Sequence, residues 1–179
     1  MKAEDAMDHV TLLAEDGTAI GVLPKSEVHT LDTPLHLAFS CYLLDAQGRL
    51  LLTRRALSKR TWPGVWTNSF CGHPRPGETI EDAVHRRAAE ELGATVTELR
   101  LALPDYRYRA VDASGIVENE VCPVYVGILE GRLAPDPTEV GEWAWTEVPD
   151  AAASAAGTPF AFSPWLVEQL PQLRAKGQV

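Results

Sequence analysis

The chain has 179 residues, with 16 Lys and Arg against 25 Asp and Glu, which gives a formal charge of −9 and enough length for one domain with its own core. Its composition, 45% apolar and 23% charged, excludes an extensively disordered chain. The acidic surplus argues against nucleic acid or a membrane as a partner, because both attract basic surfaces. Net charge alone also argues against a phosphate-bearing ligand.

The N-terminal segment and the cysteines predict a cytoplasmic protein. Lys2 is followed by acidic residues rather than by the apolar core of a signal peptide. The longest mostly apolar stretch, residues 35–44, is too short to span a membrane, which takes about 20 residues. Cys41, Cys71 and Cys122 form an odd set without close pairs, which disfavours a disulfide framework or a Cys-x-x-Cys zinc site.

The first half of the chain predicts two hairpins, a long ordered loop and a helix. The hairpin strands are predicted at residues 10–13 with 19–23, and at residues 35–44 with 50–53. Residues 58–77 are rich in turn residues and aromatic side chains and predict the loop. A helix is predicted over residues 80–92, because Thr79 and Asp82 form a capping arrangement and Gly93 is a natural residue after a helix end.

The second half predicts four strands, a helical turn and a closing helix. The strands are predicted at residues 96–103, 105–110, 116–126 and 142–148, and the helical turn at residues 151–156. Ser163 and Pro164 are an N-cap and a first-turn proline that open a helix to about residue 175, with a kink expected at Pro171. The order β-β-β-β-α-β-β-β-β-α indicates an α+β fold, a mixed β-sheet core flanked by helices. We expect one domain over residues 1–179, with residues 1–20 and 169–179 peripheral.

The most specific segment begins at Gly72 and resembles a Nudix box. That pattern runs Gly, five residues, Glu, seven residues, Arg-Glu, an apolar residue, one residue, Glu-Glu, one residue, Gly. The matching residues are Gly72, Glu78, Arg86, Glu90, Glu91 and Gly93. Arg87 stands where Nudix hydrolases have Glu. Because residues 87 and 91 are neighbours on one helix face, Arg87 repels a cation that two Glu would share. A plain surface ion pair between Arg87 and Glu91 is the alternative, but the surrounding box favours a functional role for Glu91.

Two carboxylates and three histidines are candidates for a metal site. Glu118 and Glu120 lie two residues apart on a predicted strand and therefore share a face, where they repel each other unless a cation or a proton separates them. A solvated edge strand is the alternative, and the spacing leaves both open. His29, His36 and His73 could complete an imidazole–carboxylate site suited to Zn²⁺ or Mn²⁺ and less to Mg²⁺. For His36, a core histidine satisfied by a hydrogen bond is the alternative.

Cys71 is the cysteine with the most reactive context. It lies two residues before His73, whereas Cys41 and Cys122 are predicted to be buried and inert. Cationic neighbours would favour its thiolate.

Together these segments resemble the type I isopentenyl-diphosphate isomerases, Nudix-fold enzymes of isoprenoid biosynthesis, and in length their bacterial form. The resemblance runs from about residue 25 to residue 168. It is carried by residues 35–39, 54–59, 62–74, 106–109, 118–120 and 162–165. Its most specific part is Thr-Asn-Ser-x-Cys-Gly-His-Pro at residues 67–74. A degenerate Nudix box is expected in this family, so Arg87 fits it.

The resemblance implies an isomerase that moves a double bond by protonation to a tertiary carbocation and deprotonation. Glu120 would be the acid at the terminal methylene and Cys71 the base on the opposite side. Tyr108 would assist Glu120, and the indole of Trp165 would face the cation.

The resemblance also implies two metal ions and a diphosphate site. The first metal, Mn²⁺, Zn²⁺ or Mg²⁺, would be held by His29, His36, His73, Glu118 and Glu120. Glu91 would help bind a Mg²⁺ on the diphosphate, which would also contact Lys25, Arg55, Lys59 and Arg87. Bound cations let an acidic protein accept a small anion, which removes the objection from net charge. The expected ligand is an allylic or homoallylic diphosphate, taken by a monomer without nucleic acid or membrane.

Two other functional classes remain open. A Nudix pyrophosphohydrolase would use a metal-activated water and release phosphate, but Arg87 and the Cys71–Glu120 pair argue against it. A non-catalytic Nudix-fold binding module would not need Cys71, Glu120 and three histidines together.

Overall fold

Two β-sheets and the helices packed on them form the framework of the computed structural model, which describes residues 8–179. The strands are β1 (His9–Leu13), β2 (Ala19–Pro24), β3 (His36–Leu37), β4 (Phe39–Leu44), β5 (Leu50–Arg55), β6 (Trp66–Thr67), β7 (Phe70–Gly72), β8 (Thr95–Leu103), β9 (Arg107–Val111), β10 (Val117–Val121), β11 (Val124–Glu130) and β12 (Val140–Thr146). The α-helices are α1 (Lys25–Val28), α2 (Ile80–Arg87), α3 (Val148–Gly157) and α4 (Pro164–Ala175). This is the predicted α+β class.

The same two segments of the chain pair in parallel in both sheets. The five-stranded sheet has the order β2-β1-β3-β10-β9, and the seven-stranded sheet has the order β12-β5-β4-β11-β8, with β6 on β5 and β7 on β4. β3 runs parallel to β10, and β4 runs parallel to β11. The backbone N–H of Ala38 donates to Val121 O at 2.9 Å and that of Ser40 donates to Pro123 O at 3.1 Å. The parallel pairing therefore continues where both segments cross between the sheets.

The strands predicted at residues 35–44 and 116–126 are wrong in one respect, because each is two strands in two sheets. The breaks lie at Ala38 and at Cys122-Pro123. The residues at both breaks are buried, so the apolar stretch of sequence continues across each break although the strand ends there. Pro123 has no N–H and cannot donate to a ladder, which favours the break at that point.

The predicted loop at residues 58–77 contains the short strands β6 and β7. The turn after β4 forms as predicted, but β4 and β5 pair only at Leu44 and Leu50, because β7 and β6 take up the rest of their edges. Ser69 bridges the opening. Its hydroxyl accepts from Leu43 N and donates to Leu51 O, both at 2.7 Å. Buried side-chain hydrogen bonds thus replace a missing stretch of ladder.

The helices agree with the sequence in their caps and differ in extent. The Thr79 hydroxyl accepts from Asp82 N, and Gly93 ends the helix with φ 59°, both as predicted. Residues Ala88–Leu92 form a π-helical turn that continues α2. α4 begins after Ser163 and runs through Pro171. The predicted turn at residues 151–156 is a longer helix, α3, and α1 was not predicted.

The seven-stranded sheet is buried on both faces. Along β4, Phe39, Cys41 and Leu43 pack with α2, whereas Tyr42 packs with α3 and α4. Residues 1–20 and 169–179 are predicted to be peripheral. However, Val10, Leu170 and Leu173 are fully buried, so the described parts of both segments contribute to the core. No helix among residues 8–179 is long and apolar enough to span a membrane.

Candidate metal centre and active site

Three histidines and a glutamate converge from four separate elements. One ligand atom from each of His29, His36, His73 and Glu120 lies within 4.8 Å of the others. The ring centroids of the histidines are 5.2 to 5.5 Å apart. His29 follows α1, His36 lies on β3, His73 follows β7, and Glu120 lies on β10 directly beside His36 in the parallel register.

Local contacts orient these side chains. His36 Nδ1 donates to Pro34 O at 2.9 Å, since a carbonyl can only accept, and this leaves Nε2 as the nitrogen with the lone pair. That Nε2 lies 3.4 Å from Glu120 Oε1, and His73 Nε2 lies 3.2 Å from the same oxygen. Burial alone would raise the pKa of Glu120, but the adjacent imidazoles of His36 and His73 outweigh burial and hold it well below its usual value. Burial lowers the pKa of His73 to about 3.

Glu118 lies beside this group and completes what we call the His/Glu cluster, namely His29, His36, His73, Glu118 and Glu120. Glu118 Oε2 is 2.8 Å from His29 Nε2, and the Thr61 hydroxyl donates to Glu118 Oε1 at 2.8 Å. Glu118 and Glu120 are only 6% and 5% exposed, which excludes the alternative of a solvated edge strand.

The donor atoms of the cluster fit a divalent metal. Within residues 8–179, the buried atoms without a hydrogen-bond partner include Nε2 of His29 and of His36, Nδ1 of His73, and Oε2 of Glu118. His29 Nε2 and Glu118 Oε2 lie only 2.8 Å apart, but their approach does not have the angles of a hydrogen bond. Unsatisfied buried polar atoms are costly, and a cation would satisfy them. Imidazole and carboxylate donors suit a divalent cation such as Zn²⁺ or Mn²⁺.

A cavity of about 460 Å³ opens beside the His/Glu cluster. All of the site residues predicted from the sequence line it except His36, which is fully buried behind it, and Glu91. The structure therefore brings together most of a set that is spread from residue 25 to residue 165.

Cys71, on β7, lies on the cavity wall in a polar setting. Its sulfur is 3.4 Å from Ser40 Oγ and donates to Asn68 Oδ1 at 3.4 Å. Burial raises the pKa of Cys71 to about 12. The expectation that cationic neighbours favour the thiolate is therefore not met here, because burial outweighs the nearby Arg55.

Tyr108 and Trp165 form an aromatic wall of the same cavity. Tyr108 is opposite Glu120 in the β9–β10 register and is buried, and its ring centroid is 5.7 Å from that of Trp165. The Trp165 indole N–H donates to Asn68 Oδ1 at 2.9 Å. Burial, and then Glu120, raise the pKa of Tyr108 well above its usual value.

Lys25, Lys59 and Arg87 also line the cavity, and we call them the cation cluster. Lys59 forms an ion pair with Glu139, and Arg87 Nη2 lies 3.4 Å from Glu139 Oε1. Burial would raise the pKa of Glu139, but Lys59 and Arg87 outweigh it and hold that pKa at about 2. Burial lowers the pKa of Lys25, and Arg87 and Lys59 lower it further. Glu139 was not predicted as a site residue, because it lies in none of the sequence motifs.

Arg55, expected to contact the diphosphate, and Glu91, expected to help bind Mg²⁺, both have partners within the protein. Arg55 Nε donates to the carbonyls of Thr61 and Trp62, and its Nη2 donates to Thr61 O at 2.8 Å, so much of its guanidinium is engaged by the protein. Glu91 lies outside the His/Glu cluster and pairs with Arg87 Nη2 at 2.8 Å. The alternative of an Arg87–Glu91 ion pair is thus what the structure contains, although the pair is largely buried rather than at the surface.

Comparison with known proteins places these observations in a family. The model of the NUDIX domain family matches residues 34–166. A protein named isopentenyl-diphosphate Delta-isomerase from Paenarthrobacter aurescens is 60% identical, over 94% of this chain and 92% of its own length. Proteins of the same name from Leifsonia xyli and Mycolicibacterium vanbaalenii are 59% and 55% identical, over 94% and 99% of this chain and 92% and 97% of their own lengths.

Solved structures share the fold at low sequence identity. A protein from Deinococcus radiodurans superposes with a TM-score of 0.72 at 20% identity, over 92% of this chain and 98% of its own. A MutT NUDIX hydrolase from Burkholderia pseudomallei superposes with a TM-score of 0.60 at 23% identity, over 77% and 97% of the two chains. These likenesses show the fold and carry no conclusion about chemistry.

Proposed function

The chain belongs to the NUDIX domain family and, within it, to the isopentenyl-diphosphate Delta-isomerases, and we propose that it interconverts isopentenyl diphosphate and dimethylallyl diphosphate. The observation that carries this proposal is one cavity lined by Cys71, by Glu120 with Tyr108 beside it, and by the cation cluster. Proton donor, proton acceptor and anion-binding groups thus surround the space that a five-carbon diphosphate would occupy.

We propose that Glu120 protonates the terminal methylene and that Cys71 removes a proton two carbons away. They lie on different strands, β10 and β7, and both line the cavity, so two separate groups are available for the two transfers. In this direction the reacting form has a Cys71 thiolate and a protonated Glu120, and each turnover moves one proton from substrate to sulfur and one from Glu120 to substrate. Before the next turnover the sulfur must lose its proton and Glu120 must regain one, directly or through solvent. A Cys71 thiol beside a Glu120 carboxylate is the form that a turnover in this direction leaves. Tyr108, beside Glu120 in the sheet, would assist that carboxyl group.

The aromatic wall suits a carbocation. Trp165 can present the face of its indole to a developing positive charge, as cation–π geometry requires. Trp62 lies edge-on to Trp165 at 5.5 Å between ring centroids and helps exclude water, which would otherwise trap the cation as an alcohol.

The His/Glu cluster is proposed to hold Mn²⁺, Zn²⁺ or Mg²⁺. A bound cation would supply positive charge that keeps Glu118 and Glu120 together and fixes their orientation. The chain contributes the second contacts, from Pro34 O to His36 and from the Thr61 hydroxyl to Glu118.

We propose that the diphosphate binds at Lys25, Arg55, Lys59 and Arg87, together with a Mg²⁺ that Glu91 helps to hold. Because Glu139 already pairs with Lys59 and Arg87, the incoming diphosphate must take its place at these two cations. The local cation cluster explains how a chain with a formal charge of −9 could bind an anion.

The proposal is tested by incubating the protein with isopentenyl diphosphate and Mg²⁺ and following the mixture by proton and phosphorus NMR. We expect dimethylallyl diphosphate to form without inorganic phosphate. Phosphate release from this substrate or from nucleoside diphosphate derivatives would support a pyrophosphohydrolase instead. Binding without either reaction would support a non-catalytic module.

We further propose that the chain works as a single domain and as a monomer in the cytoplasm. All three cysteines are free thiols, as a reducing compartment would keep them. Light scattering at the concentrations used for activity tests the monomer, and a mass of about twice 19.5 kDa would contradict it.

A further inference from the structure

A fully buried amide lies directly behind the reacting wall of the cavity. Asn68 stands between β6 and β7 and has no solvent-exposed surface. Its side chain makes five hydrogen bonds, to Thr67 Oγ1 at 2.9 Å, Cys71 Sγ at 3.4 Å, Trp165 Nε1 at 2.9 Å, Cys41 O at 2.9 Å and Phe70 O at 2.7 Å.

The partners fix the orientation of this amide without ambiguity. The carbonyls of Cys41 and Phe70 can only accept, so they face the Asn68 NH₂ group. The Trp165 indole N–H can only donate, so it faces the Asn68 oxygen. A flipped amide would set two carbonyls against an oxygen and an N–H against an NH₂ group.

Three groups donate to the amide oxygen: the Thr67 hydroxyl, the proposed base Cys71 and the proposed cation-facing indole of Trp165. We infer that Asn68 is a positioning residue: its amide oxygen accepts from the Trp165 indole and, in the thiol form, from Cys71, and so fixes where both stand on the cavity wall. This inference rests on the proposed function, which assigns the roles of Cys71 and Trp165. The NH₂ group in turn anchors the oxygen to the backbone of β4 and β7.

Fixed placement of these groups matters because the carbocation is short-lived. The indole must lie against the positive charge while the sulfur stays within reach of the proton to be removed. A misplacement of about 1 Å in such a geometry can cost about 100-fold in rate.

Ser69 provides a matched control. It is as buried as Asn68 and adjacent to it, but its hydroxyl bonds only to the backbone of Leu43 and Leu51. Asn68→Ala and Ser69→Ala therefore both remove buried hydrogen bonds that join the strands, and only the first also releases Cys71 and Trp165.

The test compares kcat and KM for isopentenyl diphosphate in the two variants, corrected for the folded fraction. We expect Asn68→Ala to lower kcat about 100-fold with KM changed by less than about threefold, because the cation cluster is untouched. Ser69→Ala should lower thermal stability while kcat stays within about twofold. An unchanged kcat in Asn68→Ala, or equal losses in both variants, overturns the inference.

A double-mutant cycle with Trp165→Phe isolates the hydrogen bond, since Phe keeps a ring but has no N–H. We expect Trp165→Phe to lower kcat by a smaller factor in the Asn68→Ala background than in the wild type. Equal factors in both backgrounds would show that Asn68 does not act through the indole.

If Asn68→Ala does not fold, hydrogen exchange in the wild-type protein tests the inference. The Trp165 Nε1–H resonance, assigned by its loss in Trp165→Phe, should exchange with solvent at least about 100-fold more slowly than that of the half-exposed Trp143. Comparable exchange rates overturn the inference. An active Cys71→Ala variant would refute the proposed role of Cys71 as the base, whereas an inactive Cys71→Ala beside a fully active Asn68→Ala would refute the role of Asn68 alone.

Discussion

The His/Glu cluster and the cation cluster line the same cavity but differ in whether their charged groups already have partners in the protein. In the His/Glu cluster, several buried donor atoms have no hydrogen-bond partner within residues 8–179. In the cation cluster, Lys59 and Arg87 already have a carboxylate partner in Glu139. The His/Glu cluster can therefore gain a cation without losing a partner, whereas the cation cluster must exchange the Glu139 carboxylate for an external anion. Metal binding thus adds a partner, whereas diphosphate binding replaces one.

The largest expected effect comes from the two proposed proton-transfer groups, of which Glu120 belongs to the His/Glu cluster and Cys71 to neither cluster. Cys71→Ala and Glu120→Gln should each lower isomerisation by more than about 1,000-fold, because each removes a proton-transfer group. Product formation by NMR measures this, and calorimetric titration with inorganic pyrophosphate should show that Cys71→Ala leaves the cation cluster intact.

Cys41→Ala is the control for that prediction. Cys41 is fully buried and lies outside the cavity, so its replacement should leave kcat within about threefold while costing about 1 kcal/mol of stability. Turnover like that of the wild type in Cys71→Ala would refute the assignment of the base.

Removal of metal should have the next largest effect. After exhaustive chelation, with metal content checked by elemental analysis, we expect activity to fall at least about 100-fold, since the carboxylates of the His/Glu cluster then lose their shared cation. Adding Mn²⁺ back should raise the melting temperature of the wild type by mass action but not that of His36→Ala. Full activity in metal-free protein would contradict the proposed metal site.

A smaller effect is expected one contact away from the metal ligands. Thr61→Val removes the hydroxyl that donates to Glu118, and we expect about tenfold weaker metal binding in a competition titration. Thr97→Val, which removes a hydroxyl in the seven-stranded sheet outside the cavity, should bind metal as the wild type does. Equal affinities in the two variants would show that Thr61 does not support the cluster.

The smallest expected effect tests the replacement at the cation cluster. Glu139→Gln removes the competing carboxylate charge, so inorganic pyrophosphate should bind about fivefold more tightly in calorimetry. The control is Glu142→Gln, because Glu142 pairs with Arg54 at the surface, outside the cavity. Weaker pyrophosphate binding in Glu139→Gln would mean that Glu139 positions the cations rather than competing for them.

The same variant makes a pH-dependent prediction for stability. The pKa of Glu139 is lowered in the folded protein from 4.5 to about 2, so its ion pairs stabilise the fold fully above pH 4.5. That contribution is lost as the pH falls toward 2. The stability difference between wild type and Glu139→Gln, about 2 kcal/mol near pH 7, should therefore shrink in this window. A difference independent of pH would contradict the ion-pair explanation.

The fold could be predicted from the sequence where the signals are local. Thr79, Gly93 and Ser163 define helix ends through their own caps, and these predictions are confirmed. The crossings at Ala38 and Pro123 could not be predicted from hydrophobicity, because a buried run looks the same whether or not it changes sheets. The strands β6 and β7 depend on side-chain bonds from Asn68 and Ser69 to distant backbone, which no local pattern contains.

The candidate site likewise contains residues that the sequence could predict and one that it could not. The residues of the His/Glu cluster were found from their spacing and from the resemblance to a family, and the structure brings them together. Glu139 was missed because its partners, Lys59 and Arg87, lie 80 and 52 residues earlier, and nothing near residue 139 indicates that pairing. Long-range charge pairing is a property of the folded chain alone.

The central claim is that two groups on different strands transfer two different protons. Proton NMR of isopentenyl diphosphate with the protein and Mg²⁺ in heavy water tests it most directly. We predict dimethylallyl diphosphate that carries deuterium in the methyl group formed from the terminal methylene, because the added proton comes from a group that exchanges with solvent. Product formed in a single turnover without deuterium at that position would mean that one group carries the same proton across the substrate, and would contradict the account.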